Sequence, residues 1–334
     1  MINTREVRLR SRPVGEPSAD NFALVATTLP EPGPDEVVVR NLAMSVDPYM
    51  RGRMNDAPSY APPWEIGKAA QGGAVGEVIT STSSTVPVGS LVVHGLGWRE
   101  HAVLPAAQVT VVPRRDDLSP TLYLGALGMT GRTAYVGLFR TAAFRPGDTV
   151  FVSGAAGAVG AVAGQLARLS GAERVVGSAG SKAKVDHLLN DLGFDAAFDY
   201  HDGPAADLLA AAAPDGIDVY FDNVGGEQLE AAIGAMKLGG RIAICGQISG
   251  YNATEAQPGP RNLGLFIGRR LTMTGFLVGD HPDLAEEATT RIGDLLASGQ
   301  LKADETVVHG LDNAVDAFIG MLRGQNVGKM IITL

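Results

Sequence analysis

The sequence predicts an α/β protein, a small β domain followed by a doubly wound domain built on a parallel sheet. Up to about residue 124 the apolar runs are short and broken by Pro and Gly, with no sustained helical period. From about 125 to 298, strand-like and helix-like runs alternate, the pattern of a parallel sheet with helices on both faces. A length of 334 residues accommodates about two domains.

In the first region the expected strands are Phe22–Val25, Glu36–Leu42, Gly73–Ile79, Ser90–His94, Ala102–Leu104 and Val109–Val112. Turn-forming stretches such as Glu31-Pro32-Gly33-Pro34 and Val86-Pro87-Val88-Gly89 separate them. The run Gly72-Gly73-Ala74-Val75-Gly76 precedes a strand rather than following one. It therefore predicts a bend or bulge in that strand.

In the second region the expected strands are Thr149–Ser153, Arg174–Ser178, Ala196–Asp199, Val219–Asn223, Arg241–Cys245 and Leu271–Gly275. Helices are expected at Ala158–Ser170, Ala183–Leu192, Gln228–Met236 and, amphipathically, at Pro282–Ser298. The remaining residues form short elements and close with a strand, Lys329–Leu334.

The most specific segment is Val150-Phe151-Val152-Ser153-Gly154-Ala155-Ala156-Gly157-Ala158-Val159-Gly160. An apolar strand breaks into small residues, then continues with Val159, Val162, Ala163, Leu166, Ala167 and Leu169 on one side of a helix. Strand, glycine turn and helix are the context in which such spacing means dinucleotide binding. Gly157 allows close approach of a pyrophosphate, Gly160 allows tight helix–strand packing, and the first helical amides, from Ala158 and Val159 on, face the phosphates. Alanine stands at 155, where the usual fingerprint has its first glycine. The alternative is a tight strand–helix turn without a ligand.

Composition narrows the class. The formal charge is −9, and the pairs Arg114-Arg115 and Arg269-Arg270 are too short to make a basic run, which argues against nucleic acid. Met1 to Arg12 is polar with four arginines, unlike a secretory leader. No apolar run approaches the roughly 20 residues that span a bilayer, so no membrane association is expected. The single Cys245 precludes an internal disulfide and fits a reducing compartment, with cytoplasm as the expected location.

Several segments together resemble the zinc-independent medium-chain dehydrogenase/reductases, in the prostaglandin reductase and curcumin reductase branch. They are Ser45-Val46-Asp47-Pro48-Tyr49-Met50-Arg51-Gly52-Arg53-Met54, Leu127-Gly128-Met129-Thr130-Gly131-Arg132-Thr133-Ala134-Tyr135, and the glycine turn. Further matches are Tyr220-Phe221-Asp222-Asn223-Val224-Gly225-Gly226, Arg241 through Ser249, and Asn326-Val327-Gly328-Lys329. The resemblance implies a GroES-like β domain over 1–124, an NADP-binding Rossmann domain over 125–298, and a tail, 299–334, that rejoins the first domain. It also implies a homodimer.

Zinc sites require Cys, His or carboxylate ligands. One cysteine cannot form a four-cysteine lobe, and the six histidines (His94, His101, His187, His201, His281, His309) show no paired ligand spacing. No metal is expected, and the histidines read as surface or barrel-edge residues. Without zinc to polarise an alcohol oxygen, reduction of a carbonyl-activated double bond is the more accessible chemistry.

An NAD-binding chain places an acid about 20 residues after the glycines. Here that strand ends Ser178-Ala179-Gly180-Ser181-Lys182-Ala183-Lys184. A cationic, hydroxyl-rich loop suits a 2′-phosphate. The resemblance assigns the phosphate contacts to Lys184 and Tyr200, so NADP(H) is the expected cofactor. By position it also assigns cofactor contacts to Gly157, Ala158, Val159, Gly160, Asn223, Cys245, Gly246, Gln247, Ile248, Tyr251, Phe276, Leu277, Val278 and Asn326. Asn223 ends a parallel strand, where ligands sit in such sheets, or serves only the turn before Gly225-Gly226. Cys245 reads as a buried strand residue rather than a nucleophile, and the loop after it as a source of backbone groups for the nicotinamide.

The implied reaction is hydride transfer from NADPH to the β-carbon of an α,β-unsaturated ketone or aldehyde. The enolate would be stabilised by Tyr251, whose phenol is a donor at neutral pH, or by water. Tyr49, Arg51 and Met129 are the implied substrate-pocket residues, although Arg51 and Arg53 could instead pair with surface acids. Alternative readings are an NADPH quinone reductase, an NADP-dependent alcohol dehydrogenase, and a non-catalytic NADPH-binding sensor or structural protein.

Overall fold

The structure, a computed structural model, describes residues 2–115 and 118–334. Two compact units emerge: Met1–Gly125 together with Glu305–Leu334, and Ala126–Asp304.

The first unit opens with β1 (Asn3–Leu9) and β2 (Phe22–Thr28), an antiparallel pair. The opening strand is not expected from sequence because its buried positions, Thr4, Val7 and Leu9, lie among charged residues. Strand β3 (Glu36–Ser45), the single turn α1 (Met50–Arg53), β4 (Ala74–Ser81), β5 (Leu91–His94), β6 (His101–Pro105) and β7 (Thr110–Val111) follow. The register of β3 on β4 shifts between Asn41 and Ala43, opposite Gly76 and Val75. A Cβ on Gly76 would lie 2.5 Å from the Arg40 carbonyl oxygen. The extra residue there is Leu42, on β3, facing the glycine run, whereas the extra residue of β4 itself is Ile79, opposite the Val38–Val39 step.

The second unit holds α2 (Met129–Tyr135), β8 (Thr149–Val152), α3 (Ala158–Leu169), β9 (Arg174–Ala179), α4 (Lys182–Asn190) and β10 (Ala196–Asp199). It continues with α5 (Ala205–Ala212), β11 (Ile217–Asp222), α6 (Gly226–Ala235), β12 (Met236–Ile244), α7 (Leu265–Arg269), β13 (Thr272–Gly275) and α8 (Ala285–Ala297). The six strands pair in parallel in the order β10-β9-β8-β11-β12-β13. The order reverses between β8 and β11, which opens a crevice at their carboxyl ends. Beneath it pack Phe151, Val176, Ile217, Tyr220 and Ile242, all buried.

The chain then returns to the first unit with β14 (Glu305–His309), α9 (Ala314–Leu322) and β15 (Lys329–Thr333), which pairs antiparallel with β3. The return falls at 304/305 rather than the expected 298/299. Residues beyond 298 stay with the second unit because Lys302 exchanges two hydrogen bonds with the Gln165 side chain, at 2.8 and 2.9 Å. In addition, Asp304 accepts from the His187 ring at 2.9 Å.

His94 departs from the expected surface or barrel-edge placement. It is buried, its Nε2 paired with Asn41 Oδ1 at 2.9 Å and its Nδ1 accepting the Leu96 N–H at 3.1 Å. The ring is therefore neutral, and burial pulls its pKa down to about 4.

Candidate functional site

The glycine turn sits between β8 and α3. Gly157 is the N-cap of α3 and no side chain caps that end, leaving the first helical N–H groups for an anion. A Cβ on Gly160 would stand 2.5 Å from the Gly154 carbonyl oxygen, and one on Gly157 3.2 Å from the same atom. Ala155 is buried and tolerates its methyl group, which explains alanine in the first glycine position. The cradle thus excludes side chains where a pyrophosphate would lie, and the residues present fit a dinucleotide.

At the end of β9, the hydroxyl of Ser181 caps α4 by accepting the Lys184 N–H at 3.3 Å. Lys182 is engaged elsewhere, its ammonium 2.7 Å from Asp186 one turn on. Lys184 is half-buried, and burial lowers its pKa. Tyr200 follows β10 directly and donates its N–H to the Ala179 carbonyl at 3.1 Å. Its hydroxyl would lie 2.7 Å from a Cβ on Gly180. Gly180 is therefore the residue that admits the Tyr200 ring, a role the sequence did not reveal.

The carboxyl ends of β8 and β11 are tied through Ser153 and Asn223. The Asn223 side chain donates to the Ser153 carbonyl at 2.7 Å, and its N–H to the Ser153 hydroxyl at 3.0 Å. The turn contribution of Asn223 is thus explicit. Asp222 Oδ1 accepts from Tyr220 at 2.7 Å and from the Val224 and Gly225 N–H groups at 2.9 and 2.7 Å. Ser153 and Asp222 shape the crevice floor, although no spacing in the sequence marks them.

The loop after β12 runs alongside that turn. The N–H groups of Cys245 and Gly246 donate to the Asp222 carbonyl at 2.8 and 3.0 Å, and that of Ile248 to Asn223 at 3.3 Å. These three donors are already used within the turn, so the backbone groups the loop can offer a ligand are its others. Burial pushes the Cys245 thiol up to about 12, which precludes a thiolate nucleophile at neutral pH. Tyr251 is half-buried, and burial raises its pKa against the smaller opposing effect of the Gln247 backbone N–H.

Phe276 packs edge-on to Phe221, with ring centroids 6.4 Å apart, and would meet a Cβ on Gly137 at 2.6 Å. Leu277 is exposed and Val278 half-buried. Met129 begins α2, exposed, and beside it the buried hydroxyl of Thr130 has no hydrogen-bond partner among the described residues.

In the first unit, Tyr49 precedes α1, and burial, then the nearby Asp47 carboxylate, raises its pKa. Arg51 is buried, donating to Asn55 Oδ1 and to the Gly15 carbonyl, each at 2.7 Å. It straps its own loop. Arg53 bonds the Pro62 carbonyl at 2.9 Å and the Gln71 side chain at 2.8 Å. Asn326 donates to the Gly328 carbonyl at 2.8 Å, forming the turn that enters β15. Among the described residues no group of three or more His, Cys, Asp or Glu side chains could hold a metal ion.

Residues 5–112 match the family described as the N-terminal domain of oxidoreductase, and 158–293 the family described as zinc-binding dehydrogenase. The chain is 38% identical to the NADPH-dependent curcumin reductase of Escherichia coli, over 97% of this chain and 95% of that one. It is 40% identical to the NADP(+)-dependent 2-alkenal reductase of Nicotiana tabacum, over 99% of this chain and 97% of that one. The crystal structure of CurA from Vibrio vulnificus in complex with NADPH superposes with a TM-score of 0.94 at 39% identity, covering 98% of each chain. The chain belongs to the zinc-independent medium-chain dehydrogenase/reductases, in the branch of the prostaglandin, curcumin and alkenal reductases.

Proposed function

We propose that this NADP-dependent oxidoreductase reduces the carbon–carbon double bond of α,β-unsaturated ketones and aldehydes, with Tyr251 as the donor to the developing enolate. The observation that carries the reading is the Tyr251 phenol in the loop after β12, its hydroxyl 3.5 Å from where a Cβ on Gly246 would stand, with burial raising its pKa. A protonated phenol can donate to an outside acceptor.

When bound, NADPH supplies the hydride. Gly157, Ala158, Val159 and Gly160 cradle its pyrophosphate, and Lys184 with Tyr200 takes the 2′-phosphate. Asn223, the loop from Cys245 through Gly246, Gln247 and Ile248 to Tyr251, and Phe276, Leu277 and Val278 border the dinucleotide, with Asn326 as a further contact. Addition at the β-carbon places negative charge on the carbonyl oxygen, where a fixed donor is worth most. Tyr49 on the first unit and Met129 on the second are each assigned to substrate by the resemblance, and Arg51 acts by holding the Tyr49 loop.

The protein works as a homodimer in the cytoplasm on small-molecule enones or alkenals. The edge strand β13 supports the dimer: Thr272, Met273, Thr274 and Gly275 are all exposed and β13 ends the sheet, leaving backbone groups that a second copy can pair. No helix among the described residues is long and apolar enough to cross a membrane, and the lone cysteine suits a reducing compartment.

The test follows NADPH absorbance with an alkenal, a linear enone, a dienone and a quinone, with NADH in parallel and products identified by mass spectrometry. Saturated ketones and aldehydes are expected. Turnover of the quinone alone would replace the enone reading with quinone reduction. Tight NADPH binding with no turnover would make the protein a sensor.

A further inference from the structure

Lys329 and Asp47 form an ion pair in the interior of the first unit, Nζ to Oδ1 at 3.1 Å, with each side chain 4% exposed. The remaining donors of the ammonium are spent on the Val46 carbonyl at 2.7 Å and the Met330 carbonyl at 3.1 Å. The other Asp47 oxygen accepts from the Ser45 hydroxyl. All three ammonium donors are therefore satisfied by fixed acceptors. The stem of Lys329 lies beside Gly125, where a Cβ would meet it at 3.6 Å.

A buried ion pair is a poor device for stability alone. Desolvation offsets most of the attraction, and matched apolar residues often serve as well or better. This pair, however, joins two particular places. Asp47 lies two residues before Tyr49, at the exit of β3, and Lys329 lies three residues after Asn326, at the start of β15. The Val46 N–H also donates to the Met330 carbonyl at 3.3 Å, so backbone and side chains lock the same junction. Arg51 fixes the far side of the loop through Asn55 and Gly15.

We infer that Lys329 and Asp47 are positioning residues for the reaction: their buried pair holds the Tyr49 loop and the Asn326 turn in one fixed relation, setting affinity for enone and NADPH. The inference rests on the assignment of Tyr49 to substrate and Asn326 to cofactor made above. The pair touches neither ligand and carries no proton in the chemistry.

The test compares the parent with Lys329→Met/Asp47→Leu, an apolar pair of similar volume, by thermal melting, NADPH affinity from fluorescence, and KM and kcat for one enone. The double variant is expected to melt at or above the parent temperature. Its enone KM should rise about tenfold and its NADPH Kd at least threefold, with kcat within threefold of the parent. A purely structural role would lower the active fraction, and so kcat, at unchanged KM. Enone KM and NADPH Kd both within twofold of the parent would overturn the inference. If the double variant does not fold, Lys329→Arg keeps the charge but moves the donors, and the same limits apply to it. Parent protein that binds NADPH but leaves enones untouched would refute the enone reading by itself. NADPH Kd would then still decide the positioning role.

Discussion

The Tyr251 hydroxyl lies 3.5 Å from where a Cβ on Gly246 would stand, five residues earlier in the same loop. The phenol is thereby placed beside the carboxyl ends of β11 and β12. Tyr251→Phe should lower kcat by about 100-fold while NADPH affinity stays within twofold. Unchanged turnover would remove Tyr251 from the mechanism. Because burial raises the phenol's pKa above the ordinary 10.0, the donor stays protonated across the neutral range, and kcat should show no basic limb attributable to Tyr251 until the pH exceeds 10.

Gly180 and Tyr200 make a second coupled pair. A methyl group at 180 would fall 2.7 Å from the Tyr200 hydroxyl, so Gly180→Ala should displace the ring. The expected result is a weaker preference for NADPH over NADH, by about tenfold or roughly 1.4 kcal/mol, with NADH kinetics little changed. Equal losses with both cofactors would point instead to general damage in the sheet.

Lys184→Ala should raise the NADPH KM by at least about tenfold, since hydrogen bonds to charged groups contribute about 1.5–3 kcal/mol. Lys182→Ala should have little effect, because its ammonium already pairs with Asp186 at the surface. Reversed results from steady-state kinetics would exchange the roles of the two lysines.

His94 makes stability depend on pH. Its folded pKa is pulled down to about 4 from an ordinary 6.5. Above 6.5 the ring is neutral folded and unfolded, and its contribution is fully present. As the pH falls from 6.5 toward 4 only the unfolded chain takes up the proton, so stability declines, by about 3 kcal/mol at the lower limit. Urea unfolding at pH 7 and pH 4.5 should therefore show a smaller acid loss in His94→Gln than in the parent.

Gly160→Ala should both destabilise the protein and weaken NADPH binding. Its Cβ would stand 2.5 Å from the Gly154 carbonyl oxygen, and overpacking of that kind costs about 1–3 kcal/mol. A normal melting temperature with normal NADPH affinity would show that the turn can open without consequence.

The second domain was legible in the sequence because its buried strands are continuous apolar runs, each bounded by small residues. The glycine turn declared itself by coming between such a strand and a helical period, whereas Gly72-Gly73 failed the same test and leads into β4. β1 was hidden by alternating charges, and residues 299–304 gave no local sign that Gln165, Asp191 and His187 would hold them to the second unit.

The sequence by itself determined the fold class, the dinucleotide turn and the absence of an acid after the second strand of the parallel sheet, because these depend on residue type and spacing over a few neighbours. Only the tertiary structure decided that the loop N–H groups at 245, 246 and 248 are already used and that Gly180 admits Tyr200. It also decided that Arg51 is a strap and that Lys329 is buried against Asp47. The last pair stands 282 positions apart in the chain, and a partner at that distance is chosen by packing, which no local pattern records.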